Sequence, residues 1–131
     1  MPDPILAEPK KEVDMQVTAL IIFIVVAMVG SAMLMRKRKG LRIPPFIIRS
    51  HGVFAILGVL LLLIGVFESW LGGVDNSWTW VSAALLSGVV AGGYLLFGKL
   101  LKGRRKPISI LYLHGIFACI SISTLLYALA V

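Results

Sequence analysis

Apolar residues in this chain come in four long runs, separated by short polar islands. The runs lie near residues 16–35, 46–71, 79–98 and 108–131. Each is about 20 residues or a little more, enough as a helix to cross a hydrocarbon core of about 30 Å. Hydrocarbon offers no water to free N–H and C=O groups, so each run must satisfy its backbone internally as a helix. Stretches such as AILGVLLLLIGVF lack the alternation of a barrel strand. The pattern predicts an all-α integral membrane protein, a transmembrane bundle of four helices.

Composition agrees: hydrophobic residues make up 59% and charged ones 15%, against about 45–50% and about 25% in soluble domains. The first run follows a strip, residues 1–15, that holds four acids and two lysines and lacks the basic flank of a cleaved signal peptide. That strip, with three prolines, is expected to be an extended, mobile tail outside the membrane.

The net charge of +7 would suit nucleic acid if it were spread over a face, but it is not. Eleven of the thirteen Lys and Arg residues sit between Arg36 and Arg49 or between Lys99 and Lys106. All six acids (Asp3, Glu8, Glu12, Asp14, Glu68, Asp75) fall on the other side of the helix pattern. Basic loops are retained in the cytoplasm, so both termini and the GGVDNS loop are expected outside, in a bacterial-type inner membrane. Trp70, Trp78 and Trp80 flank that outer loop, at the depth where indole rings prefer to sit.

The chain also repeats itself. Displaced by the 63 residues that separate His51 from His114, its halves align without a gap, as repeats of about 16–71 and 79–131. Lys39-Gly40 falls on Lys102-Gly103, Arg42 on Arg105, Pro44 on Pro107, HGVFA on HGIFA, and Gly30 on Gly93. Chance similarity between apolar runs matches Leu with Val; it does not match His, Pro, Gly and Lys in one register. Each unit has two helices, so the units enter the membrane in the same direction, as parallel repeats about an axis along the membrane normal.

The repeat singles out the two histidines of the chain. Each lies seven residues after its proline, about 10 Å into the helix from the basic side. Gly30, five residues before Met35, lies about 7–8 Å from the same side, and Gly93 matches it. His51, His114, Gly30, Gly52, Gly93 and Gly115 therefore share one layer. Two opposed imidazoles suit a six-coordinate haem iron held on both faces, and a flat macrocycle in a bundle needs neighbouring helices without bulky side chains. Ala55, Gly58 and Gly65 continue the face of His51, and Ala118, Ser121 and Ala128 that of His114. The plainer alternative is that small residues let helices cross closely, as in Gly88-x-x-x-Gly92, and that each histidine bonds a nearby backbone carbonyl.

On these histidines and glycines the plan resembles the four-helix b-type membrane cytochromes, including the haem-bearing bundle of quinol-oxidising cytochrome b. The resemblance implies haem b with His51 and His114 as its metal ligands, Gly30, Gly52, Gly93 and Gly115 lining it, and Arg49, Arg42 or Arg105 as partners for its carboxylates. It implies an electron carrier, with another membrane subunit, a redox partner or a quinone beside it. Those bundles usually hold two haems on four histidines, whereas one pair here accommodates one. The reading from another class is a non-catalytic accessory or assembly subunit without haem, packed into a larger membrane complex. A proton-coupled transporter is weaker, since no Asp or Glu lies within the apolar core. The sequence shows no nucleophile–base–acid set, phosphate-binding loop or zinc-ligand cluster, and its one cysteine, Cys119, is read as a small apolar residue.

Overall fold

A computed structural model describes residues 9–100 and 107–131, with side chains for 15–99 and 107–131. It is an all-α bundle of α1 (Pro9–Arg38), α2 (Pro45–Leu71), α3 (Ser77–Gly93) and α4 (Ile108–Ala130), α3 running on as a π-helical segment, Tyr94–Leu100. The apolar spans are Met15–Arg38, Pro45–Leu71, Ser77–Lys99 and Ile108–Ala130, each long enough to cross a membrane. α1 starts earlier than the sequence suggests. The stretch expected to be extended is helical from Pro9 onward, because proline at a first helical position fixes φ and gives up an N–H that has no partner there.

The helix ends follow from local chemistry. α2 begins with Pro44 as its cap and Pro45 in its first turn, and α4 has Pro107 as its cap. α1 and α2 both end in a left-handed glycine, Gly40 (φ 68°) and Gly73 (φ 80°). Behind Gly40, Leu41 N–H donates to Arg36 O and Gly40 N–H to Lys37 O, each at 3.0 Å. Behind Gly73, Val74 N–H donates to Ser69 O (2.9 Å) and Gly73 N–H to Trp70 O (3.1 Å). This closure satisfies carbonyls that a helix end leaves bare, and it needs a residue without a Cβ. Asn76 starts α3: its Oδ1 accepts from Trp78 N–H, and its Nδ2 donates to Ala128 O at 3.0 Å, which ties the end of α4 to the loop between α2 and α3.

α1 packs on α2 and α4, and α3 packs on α4 and α2, so α2 and α4 stand diagonally across the bundle. The core obeys the 63-residue register. Leu62 and Leu125 are fully buried, as are Ala19 and Ser82; Phe23 and Leu86 are nearly so, and Gln16 pairs in this sense with Thr79. Where bulk differs, the partner compensates. Phe23 lies so close over Gly58 that a Cβ there would meet its ring at 3.0 Å, while the equivalent positions hold the smaller Leu86 and the larger Ser121. The buried hydroxyls of Ser82 and Ser121 donate to the carbonyls one turn back, Trp78 O and Phe117 O, so neither is left bare in an apolar core. Gln16 Nε2 donates to Ser69 Oγ at 3.0 Å, joining the start of α1 to the end of α2.

Burial is one-sided along the membrane normal. Among the described residues none is buried on α1 after Val26, on α2 before Ala55, on α3 after Leu86 or on α4 before Ser121. The tightly packed half is the one with the acids and tryptophans. The half toward the basic loops is looser, and the histidines stand where the packing gives out.

Candidate functional site

Four helices meet at this layer. His51 comes from α2 and His114 from α4, the diagonal pair, while Gly30 comes from α1 and Gly93 from α3. Both imidazoles are half-buried. Each leans with its Cε1 onto the glycine of the other helix in its own repeat. A Cβ built on Gly30 would stand 3.1 Å from His51 Cε1, and one on Gly93 would stand 3.0 Å from His114 Cε1. Ordinary carbon contacts are about 3.5–4.0 Å, so both positions accept the ring because they carry no side chain. The contact is the same in both halves.

Gly30 and Gly93 seat the imidazoles directly, helix against ring. Gly52 and Gly115, the residues next to the histidines, have nothing within 4 Å of where a side chain would begin. Arg49 is exposed, and so is Arg42. Arg105 lies outside the described residues, as do the matching Lys102 and Gly103. Cys119 is free and exposed on α4.

The halves differ in what surrounds each ring. His114 receives Phe97 edge-on, with ring centroids 5.5 Å apart at 90°. Phe97 belongs to the π-helical segment, and the equivalent residue on α1 is Leu34, within an unbroken α-helix. A π-helical turn often marks a functional position, and here it delivers an aromatic ring to one imidazole. His51 instead reaches the backbone of Val26, one turn before Gly30, and its Nδ1 is buried with no hydrogen-bond partner among the described residues. A buried polar nitrogen without a partner is costly in an apolar layer.

Sequence reasoning placed the histidines and glycines in one layer but missed Phe97 and Val26. Phe97 carried a usable signal, being aromatic where the repeat has Leu34. Val26 carried none, because its backbone rather than its side chain makes the contact. Tyr127 packs edge-on against Trp78 with centroids 5.2 Å apart. Tyr94 lies beneath the Lys99 ammonium, 5.7 Å from its ring centre.

The donor set consists of two imidazoles on diagonal helices, with one ring nitrogen lacking a partner and glycines under both rings. Imidazole donors are of the kind that hold a planar group from two sides. No group of three or more His, Cys, Asp or Glu side chains is gathered among the described residues, so the set does not have the four-ligand makeup of a structural zinc site. Comparison with known proteins adds no relative: no family model, curated protein or solved structure matches the chain.

Proposed function

We propose that the chain is a small b-type cytochrome of a cytoplasmic membrane, holding one haem between His51 and His114. The observation that carries this reading is the duplicated His–Gly seat, with each imidazole on a diagonal helix lying against the glycine of its neighbour. The unpartnered Nδ1 of His51 and the loose packing toward the basic end support it. Haem supplies reversible one-electron exchange. The chain's own part is to present two neutral imidazoles, to shield them with apolar helices, and to keep the acids in the opposite half. That arrangement suits an electron carrier serving a membrane redox partner, a larger complex or a quinone better than a stand-alone enzyme.

The test is a visible spectrum of the full chain purified from its own membrane. A low-spin haem spectrum that His51→Leu and His114→Leu each abolish, with insertion unaffected, supports the proposal. Protein free of haem after purification under haem-replete conditions refutes it. The second reading, an accessory subunit without haem, draws on the exposed face of α3. Ala84, Gly88 and Ala91 stand exposed there, where α1 exposes the bulky Ile21, Val25 and Met28 at equivalent positions. Small faces admit close helix contact, and a haem-free chain that co-purifies with another membrane subunit favours this reading.

A further inference from the structure

The two histidine seats are copies of each other except on one side. On the third helix, Gly93 lies under His114 and Phe97 stands beside it, so one stretch of chain supplies both a floor and a wall for the ring. On α1 the same register gives Gly30 and Leu34, a floor and an aliphatic side chain. The winding differs at this place as well. α1 stays α-helical as far as Arg38, whereas α3 passes into the π-helical segment at Tyr94, immediately after the glycine. An i→i+5 pattern holds more residues in each turn than an i→i+4 pattern, so Phe97 stands at a different angle about its helix from Leu34. The repeats align here without an inserted residue, so no extra residue forces the change of winding.

We propose that Phe97 is a positioning residue that fixes the plane of the His114 imidazole, and that the π-helical turn serves to bring it there. The second torsion of a histidine side chain is broad, so the ring's own preferences leave its plane loosely set. An edge-on aromatic partner narrows that choice. The centroid separation of 5.5 Å and the 90° between ring planes lie in the range that such pairs prefer. With Gly93 against the ring on one side and Phe97 on another, His114 keeps one orientation; Leu34, at the equivalent place beside His51, offers no ring edge. The groups around a metal-bound imidazole set its orientation and thereby tune the metal, so the two ligands of one haem would be set differently. That consequence rests on haem being held between the two histidines, whereas the contact of Phe97 with His114 does not.

The experiment takes the full chain purified from its membrane and records electron paramagnetic resonance of the oxidised form. The low-spin g values of a bis-imidazole haem follow the relative planes of its two axial rings. Phe97→Leu, which gives this half the residue of the other, is expected to keep the haem and its low-spin spectrum but to shift the g values. Phe97→Tyr keeps the ring edge, and Phe67→Leu removes a ring near the other end of α2; both are expected to leave the g values in place. In parallel, equilibrium unfolding in micelles pairs Phe97→Leu with His114→Ala and, separately, with His51→Ala. Loss of haem weighs on both cycles, so the difference between them isolates the ring contact. The first coupling should exceed the second by about two- to tenfold in the unfolding constant, the range for an aromatic pair. Unchanged g values in Phe97→Leu with haem retained, or equal couplings in the two cycles, overturns the positioning role. Absence of haem from the unsubstituted chain overturns the haem reading instead, and the two cycles then decide the role of Phe97 by themselves. If Phe97→Leu fails to fold, NMR of the unsubstituted chain with labelled Phe and His decides. A through-space contact between the Phe97 ring and the His114 imidazole upholds the proposal, and its absence overturns it.

Discussion

Adding one methyl group at each of four glycines separates those that seat the imidazoles from those that do not. At Gly30 the new carbon stands 3.1 Å from His51 Cε1, and at Gly93 it stands 3.0 Å from His114 Cε1. Reaching a contact of about 3.5 Å requires each ring to withdraw by about half an ångström. Phe97 stands edge-on against the His114 ring and hinders its withdrawal, and overpacking of this kind costs about 1–3 kcal/mol. Replacing glycine by alanine inside a helix returns about 0.5–1 kcal/mol. Gly30→Ala and Gly93→Ala are therefore expected to destabilise by about 0–2.5 kcal/mol, the net of these two effects. At Gly52 and Gly115 nothing stands within 4 Å, so the propensity term acts alone and alanine stabilises by up to about 1 kcal/mol. The sign of the effect, more than its size, carries the test. Equilibrium unfolding in mixed micelles measures it, and a double-mutant cycle of Gly30→Ala with His51→Ala isolates the ring contact. With the imidazole gone, alanine at position 30 should become neutral or favourable, giving a coupling of about 1–2 kcal/mol, within the usual range for touching residues. Equal effects at all four glycines, or a coupling near zero, would refute the seat.

Other expectations follow from the bundle itself. Leu62 and Leu125 are fully buried at equivalent positions, so Leu62→Ala and Leu125→Ala should each cost about 2–5 kcal/mol in unfolding, with similar values for the two. The half-exposed Leu60 serves as the control, and Leu60→Ala should cost far less. The one-sided charge pattern predicts Asp75 outside and Leu41 on the cytoplasmic side. In a Cys119→Ser background, a membrane-impermeant thiol reagent added outside should label Asp75→Cys and spare Leu41→Cys. The reverse labelling would invert the topology.

Much of this protein is written in its sequence because the bilayer removes alternatives. A run of some 20 apolar residues in hydrocarbon has one way to satisfy its backbone, so four runs mean four helices, and the prolines and glycines between them set the ends. The duplication was legible as well, since His, Pro, Gly and Lys recur in one register, and buried positions such as Leu62 and Leu125 keep that register in the folded chain. The start of α1 was less legible, because proline breaks a helix interior yet opens a helix, and composition does not separate the two. Tertiary structure decided the rest. Helical periodicity says which residues share a face, but not which neighbour that face meets. Only packing could show that Gly30 and Gly93 lie under the imidazoles while Gly52 and Gly115 face open space. The same holds for the Val26 backbone beside His51 and the Phe97 edge on His114. The uneven packing along the membrane normal was equally hidden. It arises from how α1 to α4 converge in one half and loosen in the other, and contacts between helices have no signature in the order of residues along any one of them.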